Sequence, residues 1–293
     1  MLNYVIEFQP NFFYELVVRL EACHETFKRL RKMTLKTTVL IILTMLAVGC
    51  TSDKQSQQLE KHVMQKLSDG AYLLSQVTIT EKGKTTVKHR DQIKIYTKGK
   101  FMFAFDNEST GDMDVGAGNA TWVDGVMIEE PLVNHDGPLS DLSFEITIKP
   151  TETGFEQILH GMKYDDGRVL DTMVEVWERA PGDSSPFDGL WQLQSRETES
   201  SQLTQFTETK MIGGGHFVVL QSALKNGKKV RNFGFGTFAL KQDGRVIETG
   251  MVGSWKNYAN HMAEVKFELI DENHMVQSFT LDGRSITQNY VRM

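Results

Sequence analysis

The sequence predicts an all-β protein made of two tandem antiparallel up-and-down β-barrels. Three observations predict this fold. Hydrophobic residues recur at every second position over short segments, turn sequences rich in glycine, aspartate and asparagine separate those segments, and the second half of the chain repeats the order of features in the first half. Alternation with a period of two is typical of half-buried antiparallel strands.

The internal repeat shows where the two barrels lie. Matching segments follow one another in the same order in both halves, at an offset of about 113 to 123 residues. We therefore expect two copies of one domain. The matched segments are 69–75 with 188–193, 94–103 with 210–219, 116–118 with 234–236, 124–129 with 243–248, 142–146 with 265–269, and 176–179 with 290–292.

Before the repeat, residues 33–49 and Cys50 have the pattern of a bacterial lipoprotein signal peptide. Basic residues precede an apolar run at 39–48, which is shorter than the roughly 20 residues that span a bilayer but fits the apolar region of a secretory signal. Residues 47–50 resemble a lipobox, with alanine where leucine is usual. The resemblance implies acylation of Cys50, with palmitate among the chains, and stable anchoring in the cell envelope. The alternative is an uncleaved N-terminal anchor helix.

Residues 1–32 have no place in such a signal, so we expect Met33 to be the true start and treat 1–32 as a doubtful extension. The alternative is an amphipathic helix over residues 12–30 in an uncleaved membrane protein. After Cys50, the polar and glutamine-rich residues 50–65 suit a tether. We expect the outer membrane to hold the anchor, because the acidic residue that retains some lipoproteins in the inner membrane does not follow Cys50 directly.

The two barrels are expected at residues 66–180 and 187–293, joined by the turn-rich linker 181–186. Closure into a barrel removes the exposed edges that an open meander would leave. Glycine-containing turns such as Asn226-Gly227 and 213–215 separate the strands of the second copy. The strands predicted there are 191–196, 206–212, 216–220, 236–240, 245–251, 263–269, 275–279 and 285–291.

At these residues the chain resembles the lipocalin-like domains of uncharacterised Bacteroidetes envelope proteins. The resemblance covers nearly all of residues 66–293 and implies a lipocalin-like barrel in each copy. It implies little about activity, because many such domains have no assigned function. The motifs that carry it are the opening Gly-x-Trp-x-Leu at 189–193, the His-Phe pair at 216–217, the Gly-x-Gly-Thr-Phe strand at 234–238 and the closing Val-Trp-Glu-Arg at 176–179.

Composition and motifs exclude several classes of function. The net charge of −6 and the pI of about 5.8 argue against nucleic acid as a partner. The two cysteines, Cys23 and Cys50, both precede the predicted barrels, so these have no disulfide or thiol nucleophile. The sequence contains no histidine or cysteine residues at the spacing of metal ligands, no nucleophile elbow and no phosphate-binding glycine loop. We predict no metal, no cofactor and no assigned catalytic residue.

A barrel of about eight strands either fills its interior with side chains or holds one small ligand. Aromatic side chains are the expected lining, although each is also a candidate for packed core. The predicted ligand-binding residues are Phe101, Phe103 and Trp122 in the first copy and Trp191, His216, Phe217, Phe238, Glu248, Trp255, Phe267 and Tyr290 in the second.

Two pairs of polar residues are weak candidates for acid–base chemistry. His216 begins one strand and Glu248 lies in another, while Glu129 has His135 six residues later. A histidine and a carboxylate that converge inside an apolar barrel can bind a polar ligand head or exchange protons. The alternative is that each is a surface residue paired with water.

Three functions remain open from the sequence. The first is an envelope-anchored lipoprotein whose barrels bind a small hydrophobic or amphipathic molecule. The second is a hydrolase or isomerase that uses one of the His/Glu pairs. The third is an assembly role, in which filled barrels present their outer faces to another envelope protein.

Overall fold

A computed structural model describes residues 69–107, 111–123, 125–163, 167, 169–198, 203–281 and 283–293. The extension, the signal segment with Cys50, and the tether lie outside these residues. Over the described ranges the chain forms strands without any helix, so none is present there that could cross a membrane. The prediction of two tandem antiparallel β-barrels is confirmed.

The first barrel has a wall of eight antiparallel strands, closed by pairing between the first and the last. Two short strands, β2 and β7, are added to this wall. In chain order its strands are β1 (Gly70–Glu81), β2 (Lys84–Lys88), β3 (Gln92–Thr97), β4 (Lys100–Asn107), β5 (Asp112–Val123), β6 (Val126–Asn134), β7 (Gly137–Pro138), β8 (Phe144–Pro150), β9 (Gly154–Lys163) and β10 (Val169–Arg179).

The second barrel is closed by eight strands, each paired with its neighbours in the sequence and the last with the first. All eight strands predicted from the alternating pattern are present. They are β11 (Gly189–Thr198), β12 (Leu203–Gly213), β13 (His216–Lys225), β14 (Lys228–Leu240), β15 (Arg245–Gly253), β16 (Met262–Leu269), β17 (His274–Leu281) and β18 (Arg284–Arg292).

Local details repeat along with the strands. β1 and β11 each carry a register shift after the fifth residue, between Leu74 and Gln76 in β1 and between Leu193 and Ser195 in β11. Asn226 and Gly227 have φ values of 53° and 74°. Positive φ at both central residues is what a two-residue hairpin turn between right-twisted strands requires, so this dipeptide fixes the β13–β14 register.

The repeat corrects one match made from the sequence. Phe144 lies opposite Glu129 in the first barrel, and Ala263 lies opposite Glu248 in the second. Phe144 is therefore the counterpart of Ala263, and the match of 142–146 with 265–269 is wrong by four residues. Alternating hydrophobic sequence looks the same after a shift of an even number of residues, so the pattern alone did not fix this register.

A shared hydrophobic core joins the two barrels. It consists of side chains on the outer faces of corresponding strands, β3, β4 and β5 in one barrel and β12, β13 and β14 in the other, with contributions from β1 and β11. At its edge Arg231 forms an ion pair with Asp112 at 2.9 Å. The buried members include Ile93, Ile95, Met102, Ala104, Val115 and Ala117 from the first barrel and Met211, Val218, Leu220, Phe233 and Phe235 from the second.

The predicted glycine hairpin 213–215 lies against this shared core. A Cβ atom added to Gly214 would come within 2.6 Å of the backbone nitrogen of Ala71, and one on Gly213 within 2.7 Å of the Ile95 side chain. Gly214 and Gly215 also have positive φ values of 57° and 71°. The glycines are therefore explained by a tight turn and by close approach of the two barrels.

Candidate functional site

A cavity of about 1260 Å³ lies inside the second barrel, slightly above the ~300–1,000 Å³ that is usual for small-molecule sites. Its wall mixes aromatic rings, aliphatic side chains and buried polar groups. The lining residues that matter below are Arg196, Phe206, Glu208, Lys210, Phe217, Val219, Gln221, Glu248, Trp255, Tyr258, Ala263, Gln277 and Gln288.

A lysine, a glutamate and a glutamine form a buried triad in this wall. Lys210 Nζ lies 2.6 Å from Glu248 Oε1 and donates to Gln277 Oε1 at 2.9 Å. The lysine side chain is only 3% exposed, and its ammonium group also lies 5.0 Å from the centre of the Phe267 ring. Loss of one partner from such a buried ion pair costs about 3–5 kcal/mol, because the other charge is then left unpaired.

The first barrel contains the same triad. Lys94 Nζ lies 2.7 Å from Glu129 Oε1 and donates to Gln157 Oε1 at 2.9 Å. Tyr96 donates its hydroxyl proton to Glu129 at 2.6 Å; burial and the nearby carboxylate raise the pKa of this phenol well above its ordinary value, so it stays a donor. Because the triad occurs in both barrels, it is a feature of the shared fold.

The residues opposite the triads explain why the second barrel is hollow. Lys94 faces Phe103 across the β3–β4 pair, whereas Lys210 faces Val219. Glu129 faces Phe144, whereas Glu248 faces Ala263. At these positions the first barrel fills its interior with phenyl rings, which pack in one core with Phe101, Phe155 and Trp177. Smaller side chains in the second barrel leave that volume open.

A second buried polar group surrounds Glu208. Its carboxylate accepts hydrogen bonds from the Tyr290 hydroxyl, from Gln221 Nε2 at 2.7 Å and from Gln288 Nε2 at 3.2 Å. Burial and the Glu208 charge raise the pKa of Tyr290 well above 10, which keeps its proton available for this bond. Both carboxylate oxygens of Glu208 are therefore satisfied by the wall.

Two polar atoms at the cavity are buried without a hydrogen-bond partner among the described residues. They are Arg196 Nε and Gln288 Oε1. The two residues lie directly opposite each other across the β11–β18 pair, which places their Cβ atoms about 4.5–5.5 Å apart. The Arg196 guanidinium lies over the Phe206 ring, 4.6 Å from its centre. Arg196 forms no ion pair with any residue in the described part of the chain.

Two aromatic rings from the β15–β16 loop line the mouth of the cavity. Trp255 and Tyr258 lie with their ring centres 5.1 Å apart. A Cβ atom on Gly234 would approach the Tyr258 ring to 2.5 Å and the Trp255 ring to 2.7 Å. The absence of a side chain at Gly234 therefore creates the space that these rings occupy. Backbone hydrogen bonds from Gly250 to His261 and from Asn260 to Gly250 fix the end of the loop.

The barrel wall separates beside this mouth. Pairing of β16 with β17 ends at Lys266 and Ser278, although β16 begins at Met262 and β17 continues to Leu281. Met262 and Leu281 line the cavity and are 65% and 49% exposed. Apolar side chains of the cavity lining are thus exposed to solvent beside a gap in the barrel wall.

The predicted ligand-binding residues divide into two groups. Phe217, Glu248 and Trp255 line the cavity. The others in the second barrel, except His216, pack in its hydrophobic core: Trp191, Phe238, Phe267 and Tyr290. Those of the first barrel, Phe101, Phe103 and Trp122, pack in that barrel's core.

The structure separates both predicted acid–base pairs. His216 alternates with the cavity residue Phe217, so its side chain lies on the outer face of β13, where Nδ1 donates to the carbonyl of Gly214 at 3.0 Å. Glu248 is bonded to Lys210 on the inside. Glu129 is buried against Lys94, whereas His135 lies near Asp114 and Asp136 at 3.9 and 3.6 Å. The pairing hypothesis is therefore wrong for both.

Sequence reasoning missed the polar half of the site. Lys210, Gln277, Glu208 and Arg196 occupy strand positions that the alternating pattern treats as solvent-facing or leaves ambiguous. One signal was present: Lys94 and Lys210 occur at matched positions of the repeat, in segments whose neighbours are apolar. A lysine that recurs between apolar residues in both copies indicates a charge that is buried and paired, because an unpaired charge is too costly to bury.

Among the described residues no group of three histidine, cysteine or acidic side chains is placed to hold a metal ion. The chain matches no protein-family model, and no curated protein sequence matches it.

Proposed function

We propose that the second barrel binds a small amphipathic molecule and that the first barrel serves as its filled structural partner. The cavity carries this proposal. It is large enough for such a ligand, its lining is both aromatic and polar, and a gap with exposed apolar residues leads into it. The whole protein is then a lipocalin-like binding protein, held in the cell envelope by acyl chains on Cys50.

An enzymatic role has less support. Both candidate His/Glu pairs are separated, and the buried carboxylates Glu129, Glu208 and Glu248 are held by lysine, tyrosine and glutamine side chains. A group that is fully engaged by fixed partners is poorly placed to exchange a proton with a substrate. An assembly role also has less support, because the second barrel covers the outer faces of β3, β4 and β5. These faces are therefore not available to another envelope protein.

The test is to fill the second barrel with the side chains of the first. Val219→Phe with Ala263→Phe introduces the residues found at the counterpart positions Phe103 and Phe144. Small molecules are extracted with organic solvent from the full-length protein, purified from its own host, and identified by mass spectrometry. We expect a compound that accompanies the wild-type protein and is absent from the filled variant.

The matched control is Val169→Phe, which adds the same bulk at a position that is 42% exposed on the first barrel. This control should retain the compound. The proposal is overturned if the filled variant, folded as judged by circular dichroism, retains the same compound in the same amount. It is also overturned if the wild-type protein carries none and binds none of the amphipathic probes named in the next subsection.

A further inference from the structure

The two unpartnered polar atoms of the cavity belong to residues that lie opposite each other across one strand pair. Arg196 Nε is a donor and Gln288 Oε1 is an acceptor, both are buried, and both residues line the cavity. Gln288 is 1% exposed. Burial of a polar atom without a partner is unfavourable, so a ligand that supplies one acceptor and one donor here makes the hydrogen bonds that the wall itself does not provide.

The other buried charges of the cavity are already neutralised or engaged. Lys210 is paired with Glu248, and Glu208 accepts bonds from Tyr290, Gln221 and Gln288. Glu208 does repel an approaching anion, but three donors satisfy its oxygens, and one of them is the amide nitrogen of Gln288. This orients the free oxygen of that amide away from Glu208. Arg245, Lys256 and Lys266 also line the cavity, but all three are exposed to solvent. Arg196, whose Nε is buried, is therefore the cation that the inside of the barrel offers to a ligand.

The arginine is a special feature of the hollow barrel. β1 and β11 share the same register shift, and the third residue after Leu74 in β1, Val77, occupies the position that Arg196 occupies after Leu193 in β11. Val77 is fully buried in the core of the first barrel. The barrel with the large cavity therefore has an arginine where the other barrel has a core valine, which relates the arginine to the contents of that cavity.

We propose that Arg196 and Gln288 form the polar subsite for an amphipathic carboxylic acid that carries a hydroxyl or N–H donor close to its carboxylate. This inference rests on the proposed function of the second barrel. The carboxylate accepts from the Arg196 guanidinium, the donor binds Gln288 Oε1, and the apolar chain extends past Phe206 and Phe217 toward Trp255. A carboxylate bound to a guanidinium is among the stronger hydrogen-bonded contacts in proteins.

The experiment compares three probes of equal chain length on the full-length protein by titration calorimetry: 3-hydroxydodecanoate, dodecanoate and dodecan-1-ol. We expect the acids to bind about 10- to 100-fold more tightly than the alcohol, and the hydroxy acid about 3- to 10-fold more tightly than dodecanoate. Arg196→Met should weaken binding of the two acids about 10-fold more than binding of the alcohol, and so remove the preference for acids. Arg196→Lys, which keeps the charge, should retain a preference for acids.

The matched control is Lys88→Met, which removes one positive charge from an exposed strand of the first barrel and should change none of the affinities. The inference is overturned, with the proposed function intact, if the alcohol binds as tightly as the acids or if Arg196→Met weakens all three probes equally. If the wild-type protein binds none of the probes and carries no compound, the proposed function is overturned as well.

Discussion

At the residue scale, His216 was predicted from the sequence to bind a ligand, but its side chain lies away from the cavity. His216 is 3% exposed on the outer face of its strand, next to the turn at Gly214. Removal from water lowers its pKa below the ordinary 6.5, partly offset by the hydrogen bond to the Gly214 carbonyl. Its chemistry is therefore that of a buried neutral imidazole near the contact between the two barrels.

Because His216 is buried, we predict that the protein becomes less stable to unfolding as the pH falls. The unfolded chain binds a proton at His216 near pH 6.5, whereas the folded chain binds it only at lower pH. In that interval the unfolded state carries more protons, so the free energy of unfolding falls as the pH falls. Urea denaturation of wild type and His216→Gln between pH 5 and 7.5 checks this: the wild-type minus variant difference in unfolding free energy should decrease below about pH 6.5. A difference that stays constant over this range contradicts the prediction.

At the scale of elements, the β15–β16 loop and the strands beneath it determine access to the cavity. Gly234 in β14 leaves room for Trp255 and Tyr258, just as Gly116 in β5 leaves room for Phe103 inside the first barrel. The same glycine of the repeat thus accommodates a core ring in one copy and two mouth rings in the other. Neither glycine has a positive φ, so substitution by alanine affects packing alone.

We therefore predict that Gly234→Ala displaces the mouth rings and accelerates ligand dissociation. The added Cβ would lie 2.5 Å from Tyr258, and overpacking of this kind costs about 1–3 kcal/mol or is relieved by movement of the ring. Stopped-flow displacement of bound dodecanoate measures the rate. Gly116→Ala is the matched control, because its Cβ would lie 2.7 Å from Phe103 in the barrel without the proposed site. Equal effects of the two variants on dissociation would contradict the prediction.

At the scale of the whole molecule, the two barrels share one hydrophobic core. Corresponding strands of each copy supply it, and Phe235, at 1% exposure, is among its largest members. The face that each isolated barrel would expose is apolar. Each barrel therefore covers a surface on the other that would otherwise meet water.

The prediction is that the wild-type chain unfolds in one thermal transition and that Phe235→Ala separates it into two. Truncation of a buried phenylalanine costs about 3–5 kcal/mol, and at this position the loss falls on the contact between the barrels. Differential scanning calorimetry checks the result. Phe267→Ala, which removes the same atoms from the interior of the second barrel, should lower the melting temperature without separating the transitions. Two transitions in the wild type would contradict the expected coupling.

The amino-acid sequence by itself determined the strands, the turns and the duplication. Alternation of apolar residues, turn dipeptides such as Asn226-Gly227 and a preserved order of segments are local properties, and each specifies local structure without reference to distant residues. They were sufficient for the fold class and for three of the cavity residues, Phe217, Glu248 and Trp255.

Only the tertiary structure decided which barrel is hollow and which polar groups face its interior. The cavity depends on the summed volume of side chains that are distant in sequence, such as Val219 and Ala263, and a local pattern carries no information on that sum. The same holds for Lys210, which is tolerated inside because Glu248 and Gln277 meet it from other strands. From sequence alone, a charged side chain in a strand is predicted to be exposed. Closure of the barrel brings its partners from other strands within hydrogen-bonding distance, and the sequence pattern does not show this.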